Sequence, residues 1–517
     1  MNPIGPQNRK SRYFSLLFGG AGVLLAGLMY FAVPGDSHPS APAMAAVVTL
    51  MAVWWIFEVV PIPVTSLLPI VLFPLFGIMP IESTTALYGK STIFLFLGGF
   101  ILALGLQETN VHRRIALWIV SKVGSAPARL VLGFMVAAAF MSMWISNTAT
   151  VMVMLPIALS VLEQARSSGA EGKALRNFAL GIMLGIAYAA DMGGMATLIG
   201  TAPNMVYRTV LVQTFPGAPE PGFVAWLLMG LPLAVVFVGS GWLLLTRLIY
   251  PVRSPRLLGN QDIIRESLRA LGPLRRDEAA SLGIFGLAAV LWLTGSDIRL
   301  GDSFAFQGWR SGLGLTEVND AAVAIGCACL LFMVPSKDRP GQRLMRWEAA
   351  RNVPWGILLL FGGGFAIAGG FAASGLSRMV GNSFAAMAID APALLVIVVC
   401  FLLTFLTEIT SNTATTNLIL PILANAAVAI GVDPRILMIP ATLSASCAFM
   451  MPVASPTQAI VFGSGYVGIK DMIRAGIWFN LLGIVLVTVV FLAIAAAVWG
   501  IDLGNMPDWA VISAGAE

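Results

Sequence analysis

The pentapeptide Ser-Asn-Thr-Ala-Thr occurs twice in this chain, at 146–150 and at 411–415. Both copies lie in apolar surroundings, MWISNTATVMVMLP and TEITSNTATTNLILP. Hydroxyl and amide groups can donate hydrogen bonds to a carboxylate without adding a fixed charge. Their oxygens, together with backbone carbonyls, can coordinate a hard cation such as sodium. Each copy could therefore hold part of an anion and a cation side by side.

The two copies lie inside two long apolar segments, 131–162 and 393–430. Polar side chains in such segments can join helices through hydrogen bonds worth about 0.6 to 2 kcal/mol. The alternative is a hairpin that enters and leaves the membrane on one side, with the triplet at its tip. Non-helical backbone at that depth needs protein or a water-filled cavity around it, and the helix that starts there has free N–H groups that attract an anion. The repetition favours this second interpretation.

The composition is that of an all-α polytopic membrane protein. Of the 517 residues, 58% are hydrophobic and 11% are charged, and the mean hydropathy is +0.87. The two histidines, His38 and His112, and the four cysteines show no metal-ligand spacing, which argues against a zinc site or a histidine proton relay. We find no nucleophile with its base and no nucleotide-binding loop, so we do not expect an enzyme.

Apolar runs of about 17 to 25 residues, the length that crosses a membrane, recur along the chain. We predict eleven transmembrane helices in addition to the two re-entrant hairpins. The predicted spans are 13–33, 43–59, 63–79, 91–107, 178–207, 223–246, 279–296, 320–335, 354–376, 436–468 and 476–500.

The basic residues predict the orientation. With the two hairpins in place, 24 of the 30 lysines and arginines lie on the side of the N-terminus, which the positive-inside rule makes cytoplasmic. A single crossing at 131–162 would put the basic clusters that flank it on opposite sides. We therefore predict a multi-pass protein of the cell inner membrane with a cytoplasmic N-terminus. Topology accounts for the net charge of +5, so we expect no nucleic-acid partner.

The chain contains two copies of one unit. FLFLGGFILALGL at 94–106 matches LLFGGGFAIAGGF at 359–371, and the pentapeptides and Pro156 with Pro421 share the same offset of 265 residues. Each copy has five spans and one hairpin, and the odd number inverts the second copy, as in secondary transporters that bind substrate at the repeat interface. The predicted division is an N-terminal cytoplasmic segment with the first helix (1–42), repeat 1 (43–250), a basic cytoplasmic loop (251–278), repeat 2 (279–500) and an extracytoplasmic C-terminal tail (501–517).

Each repeat carries a second interruption after its hairpin. GGMATLIGTAPN at 193–204 lies in the span 178–207, and MMPVASPTQ at 450–458 lies in the span 436–468. Glycine and proline in a span can kink a helix or unwind it and free its carbonyls. Beside the hairpins, two unwound helices complete two half-sites.

With these motifs and the repeat, the chain from about 40 to 500 resembles the divalent anion/sodium symporter (DASS) family of di- and tricarboxylate transporters. The resemblance implies sodium as the coupling ion, a homodimer in membrane lipid, and an elevator movement of a transport domain, made of the hairpins and broken spans, past a scaffold. It also implies site residues. Those for substrate are Ser146, Asn147, Thr148, Thr201, Ser411, Asn412, Thr413, Ser455 and Pro456. Those for sodium are Ser142, Ser146, Asn147 and Gly200 in one site and Thr407, Asn412 and Ala454 in the other.

The sequence departs from the family pattern after each unwound stretch. The common ending Pro-Pro-Asn is Ala-Pro-Asn at 202–204 and Pro-Thr-Gln at 456–458, which bears on substrate choice. Two acids lie in apolar segments. Glu408 either compensates a cation or pairs within its hairpin, and Asp191 either takes part in coupling or is a water-exposed structural carboxylate. Glu58, with Trp54 and Trp55, is typical of an interfacial belt.

We expect a transporter that imports C4-dicarboxylates such as succinate, malate or fumarate with sodium. A sodium-independent dicarboxylate exchanger of the same fold is the alternative, and citrate or sulfate remains open as the substrate. We do not expect a channel, because a channel has no need of two occluding half-sites.

Overall fold

Helices account for most of the computed structural model, which describes residues 6–35, 38–124, 126–168, 170–252, 263–300, 304–315, 317–376, 379 and 392–510. Apolar runs become helices because a backbone in lipid must satisfy its own hydrogen bonds. The α-helices are α1 Pro6–Ala32, α2 Ala41–Ile56, α3 Ile62–Thr65, α4 Leu68–Leu75, α5 Ile81–Ala86, α6 Ser91–Glu108, α7 Val111–Val123, α8 Pro127–Ser142, α9 Asn147–Ser167, α10 Gly172–Gly194, α11 Ala202–Thr214, α12 Phe223–Leu243, α13 Ile263–Ala270, α14 Arg276–Leu293, α15 Trp309–Gly312, α16 Asp320–Met333, α17 Trp355–Ala373, α18 Pro392–Leu406, α19 Asn412–Ala429, α20 Arg435–Ser444, α21 Pro456–Gly463, α22 Ile469–Val490 and α23 Ala496–Val498.

The all-α prediction is confirmed, with one small addition. Two three-residue strands, β1 Ile298–Leu300 and β2 Phe304–Phe306, form an antiparallel ribbon. Short 3₁₀ turns occupy Leu87–Gly89 and Trp347–Asn352, and the π-helical turns Leu244–Ile249 and Phe491–Ala495 extend α12 and α22.

Five helices in the described part of the chain are long and apolar enough to cross a membrane. They are Ile81–Glu108, Asn147–Ser167, Phe223–Ile249, Trp355–Ala373 and Ile469–Val498. Asn147–Ser167 lies in the segment predicted as a hairpin at 131–162, and the other four overlap predicted spans. Length and composition thus identify fewer crossings than the eleven predicted, and the remaining apolar segments contain shorter helices. Seven such shorter apolar helices accompany the five.

Both segments predicted as hairpins are divided into two helices at the pentapeptide. In hairpin 1, α8 ends at Ser142 and α9 begins at Asn147. In hairpin 2, α18 ends at Leu406 and α19 begins at Asn412. The two repeats therefore place the same asparagine at the first position of a helix.

Both predicted unwound helices are also present. The chain leaves helical geometry between α10 and α11, at 195–201, and between α20 and α21, at 445–455. Thr201 and Ser455, the last residues of the two breaks, share nearly the same extended backbone, with φ and ψ of −140° and 147° and of −146° and 152°. A proline follows within the first two positions of each helix, where its missing N–H costs no hydrogen bond.

The two repeats interlock around these breaks. Helix α21 of repeat 2 packs against α9 and α10 of repeat 1, and α11 of repeat 1 packs against α19 and α20 of repeat 2. Each hairpin therefore lies beside the broken helix of the other repeat, so residues from both repeats meet at one place.

The segment 63–79 is not the continuous span that its hydropathy predicts. It divides into α3 and α4, which are separated at Ser66 and Leu67. Pro69 lacks the N–H that would bond the Thr65 carbonyl in a continuous helix, and the Tyr88 hydroxyl donates to the Ser66 carbonyl at 2.5 Å.

The predicted cytoplasmic segments contain two unpredicted helices, α7 and α13. Helix α7 lies in 108–130 and α13 lies in the basic loop 251–278, of which 253–262 are outside the described residues. Arg114 of α7 pairs with Glu278 at 2.9 Å and also donates to the carbonyls of Leu271 and Gly272. Hydropathy misses such helices because they are short and carry charge. Of the predicted tail 501–517, residues 501–510 are described and 511–517 are not.

Candidate functional site

A cavity of about 890 Å³ lies where the hairpin tips meet the broken helices. All nine residues predicted to touch substrate line it: Ser146, Asn147, Thr148, Thr201, Ser411, Asn412, Thr413, Ser455 and Pro456. Of the additional residues predicted for sodium, Gly200 and Ala454 also line it, whereas Ser142 and Thr407 are buried behind the wall. The structure thus brings residues that are 265 positions apart in the sequence into one chamber.

Each hairpin tip presents the first turn of a helix to the cavity. The first N–H groups of a helix have no partner within the helix, so they can donate to an anion. Ser146 caps α9, its Oγ accepting from the Ala149 N–H at 3.3 Å. Ser411 occupies the same position before α19 and makes no such side-chain bond. Two helix N-termini, one from each repeat, therefore face one chamber.

Oxygens converge at the first tip. Ser142 Oγ donates to Asn147 Oδ1 at 2.5 Å. A Cβ placed on Gly194 would lie 2.7 Å from Asn147 Oδ1 and 3.2 Å from the Gly200 carbonyl oxygen, so both oxygens approach the same point. A side chain at position 194 would press on both oxygens. A side-chain oxygen, a backbone carbonyl and a nearby hydroxyl form a ligand set that suits sodium.

The second tip has an oxygen without a partner. Asn412 Oδ1 is buried and accepts no hydrogen bond, a costly arrangement that a cation would relieve. Ala454 lies in the same cavity wall. Thr407 is fully buried and its hydroxyl donates to the Leu403 carbonyl at 2.9 Å, so in this structure it contacts its own helix rather than Asn412.

The two amides that end the family motif stabilise the breaks. Asn204 Nδ2 donates to the Thr197 carbonyl at 2.8 Å and the Gly194 carbonyl at 3.2 Å. In repeat 2, Gln458 Nε2 donates to the Ala448 carbonyl. Neither side chain lines the cavity, but Thr457 does. Of the residues that depart from the family pattern, Ala202 and Thr457 therefore line the cavity and Gln458 does not.

Asp191 joins the two repeats at the cavity wall. Its Oδ1 accepts from Asn147 Nδ2 at 2.9 Å, and its Oδ2 accepts from Thr457 Oγ1 at 2.9 Å and from Ser455 Oγ at 3.1 Å. The side chain is 3% exposed, so the alternative of a water-exposed carboxylate is wrong.

Glu408 is buried and stabilises the second break. Its carboxylate accepts from the backbone N–H groups of Phe449, Met450 and Met451 at 2.7 to 3.0 Å and from Asn480 Nδ2 at 2.7 Å. The alternative that Glu408 pairs within its own hairpin is wrong, because its donors lie in the unwound backbone at 449–451 and on Asn480.

The assignment of Trp55 to an interfacial belt is wrong. Trp55 is 1% exposed, and its indole N–H donates to Ser66 Oγ at 3.2 Å, while Glu58 lines the cavity with a left-handed φ of 45°. Sequence reasoning also missed Phe96, Phe100 and Thr410, which are among the other residues that line the cavity. Their only signal was proximity to the repeated motifs.

Comparison with known proteins finds matches across the whole site. The family described as the sodium:sulfate symporter transmembrane region matches residues 21–506. Proteins called sodium-dependent dicarboxylate transporter SdcS are 39% identical. The one from Staphylococcus saprophyticus aligns over 462 residues, 89% of this chain and 87% of its own. The one from Staphylococcus aureus strain MRSA252 aligns over 495 residues, 94% of this chain and 93% of its own.

Two solved structures share the fold at 13% sequence identity. The Alcanivorax borkumensis YdaH transporter has a TM-score of 0.54 and covers 94% of this chain and 99% of its own. Neisseria gonorrhoeae MtrF has a TM-score of 0.52 and covers 79% of this chain and 82% of its own. At this identity the likeness concerns the fold alone.

Proposed function

Because the chain belongs to the sodium:sulfate symporter family, the divalent anion/sodium symporters that its motifs resemble, we propose that it imports C4-dicarboxylates such as succinate, malate or fumarate together with sodium. The observation that supports this most is the shared cavity. Two helix N-termini from opposite repeats line it, each next to oxygens suited to a cation. A substrate with an anionic group at each end matches two such tips. The names of the relatives support the same substrate class.

Sodium coupling also follows from electrostatics. A dianion that enters a cell at about −100 mV works against roughly 2 × 2.3 kcal/mol. Two sodium ions cancel that charge, and a third would let the membrane potential drive uptake. The ligand sets at the tips contain neutral oxygens, so the substrate's own charges favour binding of the cations. Anion and cation sites that share Asn147 and Asn412 would be thermodynamically linked.

The proposed movement is of the elevator type, in a homodimer. Hairpins 1 and 2 and the broken helices α10–α11 and α20–α21 form the proposed transport domain, and the other helices form the scaffold. The interlocking of the two repeats supports motion of the first group as one body. Large apolar side chains on the surface, such as Val235 at 63% exposure and Leu248 at 73%, support contact with lipid. The dimer rests on the family resemblance.

We propose the topology that the basic residues predict, with the N-terminus in the cytoplasm. In this topology the segments 57–63 and 354–356, which line the cavity, lie at cytoplasmic ends of spans. The cavity would then open towards the cytoplasm, so the structure would represent the inward-facing state.

Single cysteines in a cysteine-free background test this topology. With Ala270→Cys, in the basic loop, we expect labelling by a membrane-impermeant maleimide only from the cytoplasmic side. With Glu317→Cys, before α16, we expect labelling only from outside. Both positions are exposed, so accessibility differs only by side. The reverse pattern would contradict the orientation, and labelling of both from the same side would contradict the predicted crossing at 279–296.

The function itself is tested by uptake into proteoliposomes. We expect labelled succinate to accumulate when an inward sodium gradient is present and not when choline replaces sodium. Labelled citrate and sulfate, measured in parallel, decide the substrate class. Uptake that is unaffected by choline but requires an internal dicarboxylate would refute symport and support exchange.

A further inference from the structure

Asp191 is a buried carboxylate without a basic partner among the described residues. Arginine side chains of the described chain make several ion pairs with acidic residues, and none of these pairs involves Asp191. Its three hydrogen-bond donors, Asn147, Ser455 and Thr457, are all neutral. A charge buried in this way is costly unless a cation compensates it, and an acid at membrane depth is functional by default.

The groups around the carboxylate are oxygen ligands. Ser455 Oγ and Thr457 Oγ1 lie 2.5 Å apart and both contact Asp191 Oδ2. Hydroxyl hydrogens rotate, so oxygens that now donate to the carboxylate can turn their lone pairs towards a cation. The Gln458 side chain also lies beside Asp191, and its Oε1 is buried without a partner. A hard cation prefers such a set of carboxylate, hydroxyl and amide oxygens.

We propose that Asp191, Ser455 and Thr457 form a further sodium site at the cavity wall, which requires both repeats. This inference rests on the proposed sodium symport. The site lies beside the first tip, because Asn147 contacts both Ser142 and Asp191. Asp191 comes from α10 of repeat 1, and both hydroxyls come from the start of α21 of repeat 2. Because the Asp191 side chain is only 3% exposed, a bare ion can reach its carboxylate more easily than the ammonium group of a substrate can.

The site would add one cation to each transport cycle. Two sodium ions at the tips balance a dicarboxylate, and a third makes the cycle electrogenic. Asp191 supplies the fixed charge that a third cation needs, since the substrate has only two. Its removal should therefore change the coupling ratio, whereas loss of an ordinary structural contact should change only the rate.

Reversal-potential measurements in proteoliposomes test this ratio. The membrane potential at which net succinate flux stops, under fixed sodium and succinate gradients, gives the number of sodium ions per substrate. We expect Asp191→Asn and Asp191→Ser each to couple one sodium ion fewer than the unmutated protein. Glu408→Gln is the matched control, since Glu408 is also a buried acid but contacts backbone donors outside the cavity. It should keep the full ratio.

Binding of ²²Na⁺ to purified protein without substrate provides a second measurement that does not need transport. We expect one sodium ion fewer per protomer in both Asp191 variants. For Thr457→Val, which loses one ligand, we expect a roughly five- to tenfold higher sodium concentration for half-saturation.

Several outcomes would overturn the site. An unchanged ratio and unchanged ²²Na⁺ binding in both Asp191 variants would refute it, while sodium-dependent uptake by the unmutated protein would leave the proposed function intact. If the unmutated protein shows no sodium dependence, the proposed function itself fails. If the ratio is unchanged but the Asp191 variants lose inhibition of succinate uptake by L-aspartate, the carboxylate binds a substrate ammonium group instead.

Discussion

Replacement of either Asn147 or Asn412 by alanine is expected to abolish uptake while the protein remains folded. Each amide lies at the first position of a hairpin helix and lines the cavity. Each would serve anion and cation together, at roughly 1 to 3 kcal/mol for every partner lost. Loss of two partners therefore lowers the population of loaded carrier by at least tenfold, and loss of coupling between the sites lowers it further.

The two variants should differ in stability when sodium is absent. Asn147→Ala removes the acceptor of Ser142 and a donor to the buried Asp191, so we expect a loss of about 1 to 3 kcal/mol in the free energy of unfolding. Asn412 Oδ1 has no partner to lose. Sodium should stabilise the unmutated protein and should stabilise both variants less. Thermal unfolding at several sodium concentrations measures these differences.

Asn425→Ala is the matched control for the asparagine variants. Asn425 lies on the same helix as Asn412 but bonds the Pro421 carbonyl at 2.7 Å, away from the cavity. Its variant should transport normally. Normal uptake by either Asn147→Ala or Asn412→Ala would show that the repeated motifs are structural hydrogen-bonding groups and not half-sites.

Removal of the hydroxyl one helical turn before each motif should raise the sodium requirement. Ser142 and Thr407 each precede a motif serine by four residues. Ser142→Ala removes a bond to Asn147 Oδ1, so the sodium concentration for half-maximal uptake should rise on the order of tenfold. The substrate requirement at saturating sodium should change much less, since the loss concerns the cation.

The structure predicts a smaller effect for Thr407→Val than for Ser142→Ala. The Thr407 hydroxyl donates to its own helix, so it must turn to reach a cation at Asn412. Ser240→Ala is the control, because the Ser240 hydroxyl also donates to the carbonyl four residues earlier, on α12 and away from the cavity. Sodium titrations of initial uptake rate compare the three. An equal change in the sodium and substrate requirements would contradict a role at a cation site.

The sequence alone determined the parts of this protein that depend on local chemistry. Hydropathy predicts apolar helices because lipid forces the backbone to bond internally. Glycine and proline predict the breaks at 195–201 and 445–455, because they act within one turn of helix. The constant offset of 265 predicts two equivalent tips, since duplicated sequence folds in the same way. The family was recognisable from these motifs, and the comparisons confirm it.

Helix ends and short helices were less predictable. The segment 63–79 reads as one span, but its prolines and the contact of Tyr88 with Ser66 divide it. Helix α7 reads as a loop because its charges lower its hydropathy, while Arg114 anchors it to Glu278, 164 positions away. Such contacts depend on partners that no local window of sequence contains.

Tertiary structure alone decided which side chains meet. Asp191 and Thr457 are 266 positions apart, and only the interlocking of α10 with α21 brings them within 2.9 Å. The same packing turns Gln458 away from the cavity and leaves Asn412 Oδ1 without a partner. The sequence predicts where oxygens are available, because residue type determines chemistry. Whether those oxygens converge on one ion depends on packing between repeats, because coordination requires positions fixed to within an ångström.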